Sequence, residues 1–297
     1  MPTPLIAAIS DAIAAATGTP FAARGSQAVA GGCINETFSL EDGRRRYFVK
    51  TNAAVAGLSM FEAEAAGLEE IAASRTIRVP RPICLGSHGR HAFLVLEHIA
   101  MGPGDAVSPE RLARQLAHMH QTRWTAFGWR RDNTIGSTPQ RNTPASDWTT
   151  FWRDRRLGYQ LALAADNGYG GELQRSGERL LAALPALFGG YRPQPVLLHG
   201  DLWHGNCAMD ADGNPVVFDP AVYYGDREAD IAMTELFGGF PPRFYAAYRE
   251  VLPLDPGYGT RKTLYNLYHV LNHLNLFGGG YLGQARRMLD QLLSECC

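Results

Sequence analysis

Near residue 100 the hydrophobic pattern of this 297-residue chain changes character, and any fold has to accommodate the change. Before it, apolar residues come in short runs broken by glycine: "AGGCINETFSL", a turn at "EDG", then "RRRYFVK", where Tyr47, Phe48 and Val49 carry strong strand propensity. Two further strands are expected from "VPRPICLGSHGRHAFLVLEHI", turned at Ser87 to Arg90. One helix, "MFEAEAAGLEEIAAS", lies between them with Phe61, Ala65, Leu68 and Ala72 on one face. A short helix through Leu5, Ile6, Ile9 and Ile13, with Gly18 as its C-cap, opens the chain. After the glycine- and proline-rich "HIAMGPGD" the spacing turns helical. Ser108 and Pro109 suit the N-cap and first residue of "PERLARQLAHMHQT", with Leu112, Leu116 and Met119 facing inward. Later helices are expected over about 147–166, 172–188, 226–237, 241–250, 260–276 and 281–295. Only 195–219 interrupts them, where "VLLHG" and "PVVFD" read as short strands with an Asp212-Gly213 turn between. The expectation is an α+β chain of two lobes: an antiparallel sheet with one main helix over 1–98, and a larger, mainly helical lobe over 99–297.

Composition narrows the function classes. At 45% hydrophobic and 19% charged residues, the chain is an ordinary globular one, long enough for two lobes. A formal net charge of −1 leaves no surplus for gripping a nucleic-acid backbone, so small substrates are favoured. The start, "MPTPLIAAISDAIAAATG", lacks a basic leader and is interrupted by Ser10 and Asp11, so it does not read as a secretory signal. No stretch is long and apolar enough to span a bilayer, and the expected location is the cytoplasm. Five cysteines with no C-x-x-C pair argue against a disulfide framework and a zinc site, so reduced thiols are expected.

The chemistry concentrates in "HGDLWHGN", residues 199–206, followed by "FDP" with Asp219. Asp201 and Asn206 are five apart, so the amide can coordinate a metal while the carboxylate accepts a proton from an incoming hydroxyl; Asp219, after a strand, can bridge magnesium to phosphates. H-x-D-x-x-x-x-N is the spacing of a kinase catalytic loop, and "FDP" stands where a kinase carries its metal-binding aspartate. The upstream half offers the remaining parts of phosphoryl transfer. Gly31, Gly32, Cys33, Ile34 and Asn35 suit either a hairpin turn or a loop whose amides approach phosphate oxygens. Lys50 ends an apolar strand, either solvated or directed at nucleotide phosphates. Glu64 lies three residues after Phe61 and four before Leu68, near the buried stripe, where a carboxylate needs a partner and Lys50 is the natural one; Glu62 faces away. His199 reads as scaffold bonded to nearby backbone. His204 is either an exposed loop residue or a phosphate or substrate contact. Trp203 is either a loop anchor or an apolar wall for substrate. Asp226 and Asp230, at a helix start, suit capping and bracing of the loop, with Arg227 as buttress, and arginines 44–46 a solvated hairpin edge.

With these residues in view, the chain resembles the fructosamine kinases, or ketosamine-3-kinases, a branch of the protein-kinase-like and aminoglycoside phosphotransferase group. The resemblance covers nearly the whole length and is carried by "GGCINETF", "YFVK", "MFEAEAAGLEEI", "LVLEHI", "FGWRRDNTIGSTPQRN", "DWTTFWRDRRLGYQL", "HGDLWHGN" and "VVFDPAVYYGDREADIAMTELFGGF". It implies a protein-kinase-like two-lobed fold and ATP- and Mg2+-dependent phosphorylation of the 3-hydroxyl of a ketosamine: a ribulosamine, erythrulosamine or fructosamine adduct of a small amine or a protein lysine. The 3-phosphate then eliminates and frees the amine, which amounts to deglycation and protein repair. It further implies Asp201 as general base, Asn206 and Asp219 as magnesium ligands, Lys50 on the nucleotide phosphates, Glu64 positioning Lys50, and backbone groups of Glu97, His98 and Ile99 facing adenine. "HGD" departs from the "HRD" of protein kinases, so the arginine that reads a phosphorylated activation loop is missing, and the stretch from Asp219 to Asp230 is too short for such a segment. Small-molecule or amine-adduct acceptors are favoured, with the chain a monomer or homodimer. Cys33 is either an inert small residue or a thiol whose oxidation, as a disulfide between two chains, slows the enzyme. The competing readings are a kinase of another small hydroxyl or amino sugar, a silent nucleotide-binding module, and a phosphoesterase holding a transition metal on His199, Asp201, His204 and Asp219.

Overall fold

The computed structural model describes residues 3–29, 34–102 and 109–296. The chain divides into two units, Met1–Ala106 with Ala208–Asp219, and Val107–Cys207 with Pro220–Cys297. Strand alternation builds the first. Helix α1 (Thr3–Thr17) precedes β1 (Gly25–Ala28), β2 (Glu36–Glu41) and β3 (Arg46–Ala53); α2 (Ala54–Ser74) then leads to β4 (Pro82–His88) and β5 (His91–Glu97). The sheet is antiparallel with strand order β1-β2-β3-β5-β4. Its β2–β3 turn is closed by the Asp42 carboxylate, which accepts the amides of Arg44 and Arg45 at 2.9 and 2.7 Å. Register pairs Phe38 with Val49 and Lys50 with Leu94. Because side chains alternate, Phe38, Leu40, Tyr47, Val49, Phe93 and Val95 share one face, and α1 covers it with Leu5, Ile9 and Ile13. Each of those three is at most 1% exposed and contributes about 1.5–3 kcal/mol by burial. The opposite face receives α2 through Phe61, Leu68 and Ile71, all fully buried.

The second unit begins with α3 (Pro109–Met119), whose Leu112, Leu116 and Met119 are buried; Ser108, expected as its cap, lies outside the described residues. A hairpin of β6 (Asn133–Ile135) and β7 (Thr138–Gln140) follows, which helical spacing did not anticipate: amides rather than apolar periodicity hold it in place. Asn133 Nδ2 donates to the Val222 carbonyl at 2.8 Å and Gln140 Nε2 to the Ala221 carbonyl at 3.1 Å. The expected helix over 147–166 is present as α4 (Trp148–Trp152) and α5 (Gly158–Asp166) joined by a π-helical turn, Arg153–Leu157. Gly158 permits that turn, since its amide bonds the Arg153 carbonyl five residues back and a Cβ there would lie 2.6 Å from the same oxygen. Helix α6 (Glu172–Ala183) and a 3-10 turn lead to β8 (Val196–Leu198).

The chain next forms the hairpin of β9 (Cys207–Met209) and β10 (Pro215–Val217), of which residues 208–219 belong to the first unit. Asp210 sets its turn, accepting the amides of Asp212 and Asn214 at 3.0 and 2.8 Å. Back in the second unit, β11 (Tyr223–Gly225) pairs with β8. Thus Val196–Leu198 joins a strand beyond Asp219, not the Pro215–Val217 strand. Helices α7 (Arg227–Leu236), α8 (Pro242–Val251), α9 (Tyr258–Phe277) and α10 (Leu282–Ser294) complete the chain. Most of α9 is buried, from Leu264 to Leu274 almost without interruption, which marks it as the central helix of this unit. Among the described residues no helix is long and apolar enough to cross a membrane.

Candidate active site

In the first unit, β3 alternation turns Lys50 away from the α1 core and toward α2. Its ammonium donates to Glu64 Oε1 at 2.6 Å and to Asp219 Oδ1 at 2.5 Å. Burial opposes the charge on Lys50, and the carboxylates of Glu64 and Asp219 more than offset it, so its pKa stands above the ordinary lysine value. Burial pushes the Glu64 carboxyl upward, with the Lys50 ammonium pulling it down. The Glu64 side chain is 11% exposed and that of Asp219 41%, so Asp219 is the wet member of the triad. Glu62 is exposed. Asp219 also holds a left-handed backbone, φ 56°; only it and Arg75, at the end of α2, do so among the described non-glycine residues. A strained backbone at a solvent-reaching carboxylate is a mark of functional positioning.

Of the residues expected near phosphate, Gly31, Gly32 and Cys33 lie outside the described residues. Asn35 is tied to β3, its Oδ1 accepting from Asn52 Nδ2 at 2.8 Å, and the Ile34 carbonyl accepts from the same amide at 3.5 Å. Glu97, His98 and Ile99 lie where β5 ends. The Glu97 amide donates to the Arg81 carbonyl at 2.8 Å, and its carboxylate accepts from Arg78 at 3.2 Å.

In the second unit, β8 delivers His199, Gly200 and Asp201. The loop is clamped from behind by Asp230 of α7, whose carboxylate accepts the His199 amide at 2.7 Å and the Gly200 amide at 2.8 Å. It also contacts His120 Nε2 at 3.2 Å. Burial works against this carboxylate, but its hydrogen bond from His120 and the bonds from the loop outweigh burial and hold its pKa below the usual value. Gly200 has φ 82°, and a Cβ there would fall 2.1 Å from the Ala221 carbonyl oxygen, so only glycine fits. The absence of the kinase arginine is therefore a steric requirement of this loop. The His199 ring is fully buried, and its Nδ1 accepts the Asp201 amide at 3.3 Å.

Beyond Asp201 the chain makes a 3-10 turn, His204–Asn206, which folds buried Asn206 back. Its Nδ2 donates to the Asp201 carbonyl at 2.8 Å and to Asp201 Oδ2 at 3.1 Å. The five-residue spacing thus brings amide and carboxylate into direct contact. Trp203 is partly buried, its ring centroid 4.8 Å from that of exposed His204 and 6.1 Å from that of Phe237. Asp226 caps α7 by accepting the Glu228 amide at 3.0 Å, as its place at a helix start predicts.

Sequence reasoning gave no role to the residues that hold this loop from the side. Arg156, in the π-helical turn, is fully buried with its guanidinium 4.2 Å from the Tyr223 ring centroid and 4.6 Å from that of Phe151. It donates to Asn142 Oδ1 at 2.7 Å, and Asn142 Nδ2 donates to Asn133 Oδ1 at 2.8 Å. Asn133 and Gln140 then hold the carbonyls of Val222 and Ala221, against the latter of which Gly200 packs. The available signal was the density of Asn and Gln in "DNTIGSTPQRN", too polar for an unassigned connection between helices. The transition-metal reading is not met: among the described residues no three His, Cys, Asp or Glu side chains form a group able to hold a metal ion.

The sequence profile of the fructosamine kinase family matches residues 5–295. A probable ketoamine kinase of Synechocystis sp. is 50% identical over 291 residues, 96% of each chain. The chloroplastic protein-ribulosamine 3-kinase of Arabidopsis thaliana is 45% identical over 268 residues, 89% of this chain and 81% of that one. Among solved structures, a protein named as a fructosamine-3-kinase from Haemophilus somnus superposes with a TM-score of 0.88 at 31% identity, covering 96% of both chains. Aminoglycoside phosphotransferase APH(4)-Ia, solved with ADP and hygromycin B, shares the fold at a TM-score of 0.60 and 16% identity, covering 97% of this chain and 98% of that one. The α+β kinase-like fold and the match over nearly the whole length lead to one conclusion: the chain belongs to the fructosamine kinase family and is a phosphotransferase.

Proposed function

We propose that the protein is an ATP-dependent ketosamine 3-kinase, with nucleotide binding in the first unit and acceptor binding and catalysis in the second. The observation that carries this reading is the Asp201–Asn206 contact on a loop whose amides are tied to Asp230. It leaves a carboxylate held at a fixed place with its partner amide turned by one end only. Asn206 spends its Nδ2 on Asp201, so its Oδ1 is the end that can face a cation. Asp219 of the first unit and Asn206 of the second each offer a hard oxygen donor of the kind magnesium takes, and magnesium bound with the nucleotide would neutralise charge on the phosphates. Lys50, kept charged by Glu64, supplies a fixed ammonium for the same phosphates.

In the reaction, Asp201 accepts the proton of the acceptor's 3-hydroxyl while that oxygen attacks the γ-phosphorus. The bond from the γ-phosphorus to the bridging oxygen breaks, and ADP leaves with the electron pair. The acceptor is a ketosamine, the adduct of a reducing sugar with an amine. Support comes from the relatives named for ketoamines and protein-ribulosamine. Trp203, with His204 beside it, forms an apolar wall against the adduct. Elimination of the 3-phosphate then frees the amine, which makes deglycation and repair the biological sense.

The test is phosphorylation of a panel of synthetic ribulosamines, erythrulosamines and fructosamines, free and on protein lysines, with magnesium and ATP, scored for the 3-phosphate. Asp201→Asn is expected to abolish turnover while ATP still binds. No 3-phosphate on any member, or turnover by the variant within tenfold of the parent, overturns the reading.

A further inference from the structure

The second unit contains a cavity of about 580 Å3, within the range of about 300–1,000 Å3 usual for small-molecule sites. Three arginines are among the residues that line it, Arg123, Arg192 and Arg227, and none is in an ion pair among the described residues. Arg192 donates to the carbonyls of Gly189 and Tyr191 at 3.0 and 3.1 Å. Arg227 donates to those of Leu252 and Pro253 at 3.1 and 2.5 Å. The exposed Arg123 makes no side-chain bond among the described residues. Arg261 and Arg78, by contrast, are paired with carboxylates: Arg261 lies 2.8 Å from Glu228 and 2.7 Å from Asp255, and Arg78 reaches both Asp210 and Glu97.

The single acid in the cavity wall, Asp226, is committed elsewhere. Its oxygens accept from Tyr265 at 2.5 Å, Tyr191 at 2.9 Å and the Glu228 amide at 3.0 Å. Burial pushes its pKa upward, and the donors from Tyr265, Tyr191 and the Glu228 amide pull it down. Three arginines against one carboxylate leave an excess of positive charge along a concave wall, although Asp226 acts electrostatically on Arg227, and such an excess attracts anions. Guanidinium forks match phosphate oxygens, while the amides of Gln121 and Gln194, also in the wall, match hydroxyls. We propose that this cavity binds a small phosphorylated polyol, the phosphate on the three arginines and the hydroxyls on the two glutamines, and that occupancy is relayed to the Asp201 loop.

The relay is a chain of contacts within the second unit. Arg227 Nη1 lies 3.4 Å from the Tyr248 hydroxyl, which is 2.7 Å from His120 Nδ1. His120, itself in the cavity wall, reaches Asp230 at 3.2 Å, and Asp230 holds the amides of His199 and Gly200 directly before Asp201. A phosphate that draws Arg227 shifts the Tyr248 hydroxyl and, through it, the imidazole that braces Asp230. The relay rests on residues 199–206 being the catalytic loop; the binding site does not.

The full-length protein is titrated by calorimetry with glucose 6-phosphate, inorganic phosphate and glucose at constant ionic strength, beside the double variant R123Q/R192Q. The sugar phosphate is expected to bind one to one, inorganic phosphate more weakly and glucose not at all. The double variant is expected to lose at least tenfold in affinity. Amide hydrogen exchange across 196–206 is expected to slow several-fold in the saturated parent protein and to stay unchanged in the variant. No binding of either phosphate, or equal binding by the double variant, overturns the site. Equal affinity for both phosphates overturns the polyol and leaves the free anion as occupant. Unchanged exchange at saturation overturns the relay. Neither readout uses a ketosamine, so these failures are distinct from a failure of the proposed reaction.

Discussion

Replacing Asp230 by alanine removes the acceptor for the His199 and Gly200 amides and for His120, at a side chain only 1% exposed. Hydrogen bonds to a charged group contribute about 1.5–3 kcal/mol each, so orphaning two buried amides costs about 3–6 kcal/mol. Relief of the carboxylate's own desolvation places the net loss near 4 kcal/mol. Asparagine keeps one oxygen and satisfies one amide, so its cost is about 2 kcal/mol. All five tryptophans of the chain, Trp124, Trp129, Trp148, Trp152 and Trp203, lie in the second unit, so urea unfolding followed by their fluorescence reports the unit that holds Asp230. With a urea slope of about 2 kcal/mol per molar, the midpoint should fall by about 2 M for Asp230→Ala and about 1 M for Asp230→Asn. The pH dependence follows from the depressed pKa of Asp230, whose ordinary value is about 3.9. Its contribution is complete above about pH 4 and is lost as pH falls through the lower folded value, so parent and alanine variant should converge only in that acid window. An alanine variant within about 0.3 M of the parent at pH 7, where about 2 M is expected, would refute the clamp.

Gly200→Ala should destabilise the second unit by at least about 2 kcal/mol and stop turnover, because a left-handed alanine is strained and its Cβ meets the Ala221 carbonyl; normal urea midpoint and activity would contradict this. Lys50→Met leaves two carboxylates facing each other and should cost about 3 kcal/mol, at the lower end for a broken buried pair because Asp219 is partly exposed. Faster hydrogen exchange in β3 and α2 should report it, with part of the loss recovered by adding Glu64→Gln; unchanged exchange would contradict it. Burial pushes the Cys207 thiol up to about 12 and the Cys84 thiol to about 11. Fewer thiolates are then present at pH 8, so iodoacetamide should label Cys207 about 1,000-fold and Cys84 about 100-fold more slowly than a free thiol, rising about tenfold per pH unit. Peptide mass spectrometry measures both rates, and labelling at the free-thiol rate would sink the account.

The parts of the fold that follow one rule at a time were legible before any coordinates. Alternation in "YFVK" and the Asp42 turn define the β2–β3 hairpin, and helical phase separates Glu64 from Glu62 on α2. The spacing of Asp201 and Asn206 likewise translates into a contact, since a 3-10 turn at His204–Asn206 folds the amide back. What periodicity does not carry is the polar scaffold behind the loop. Asn133, Gln140, Asn142 and Arg156 are buried because they satisfy one another and nearby carbonyls, a property of partners distant in sequence. The β8–β11 pairing was missed for a related reason: three-residue strands leave too short a pattern, and their partners lie on either side of the 207–219 excursion. The π-helical turn depends on a single glycine inside an otherwise continuous helical signal.

Gly200 has a consequence for control. With a backbone oxygen occupying the space of its missing side chain, position 200 cannot carry the arginine that reads a phosphorylated activation loop in protein kinases. The enzyme cannot be licensed from outside by another kinase in that way. The carboxylate on which the His199 and Gly200 amides hang is a point from which the interior could act on this loop.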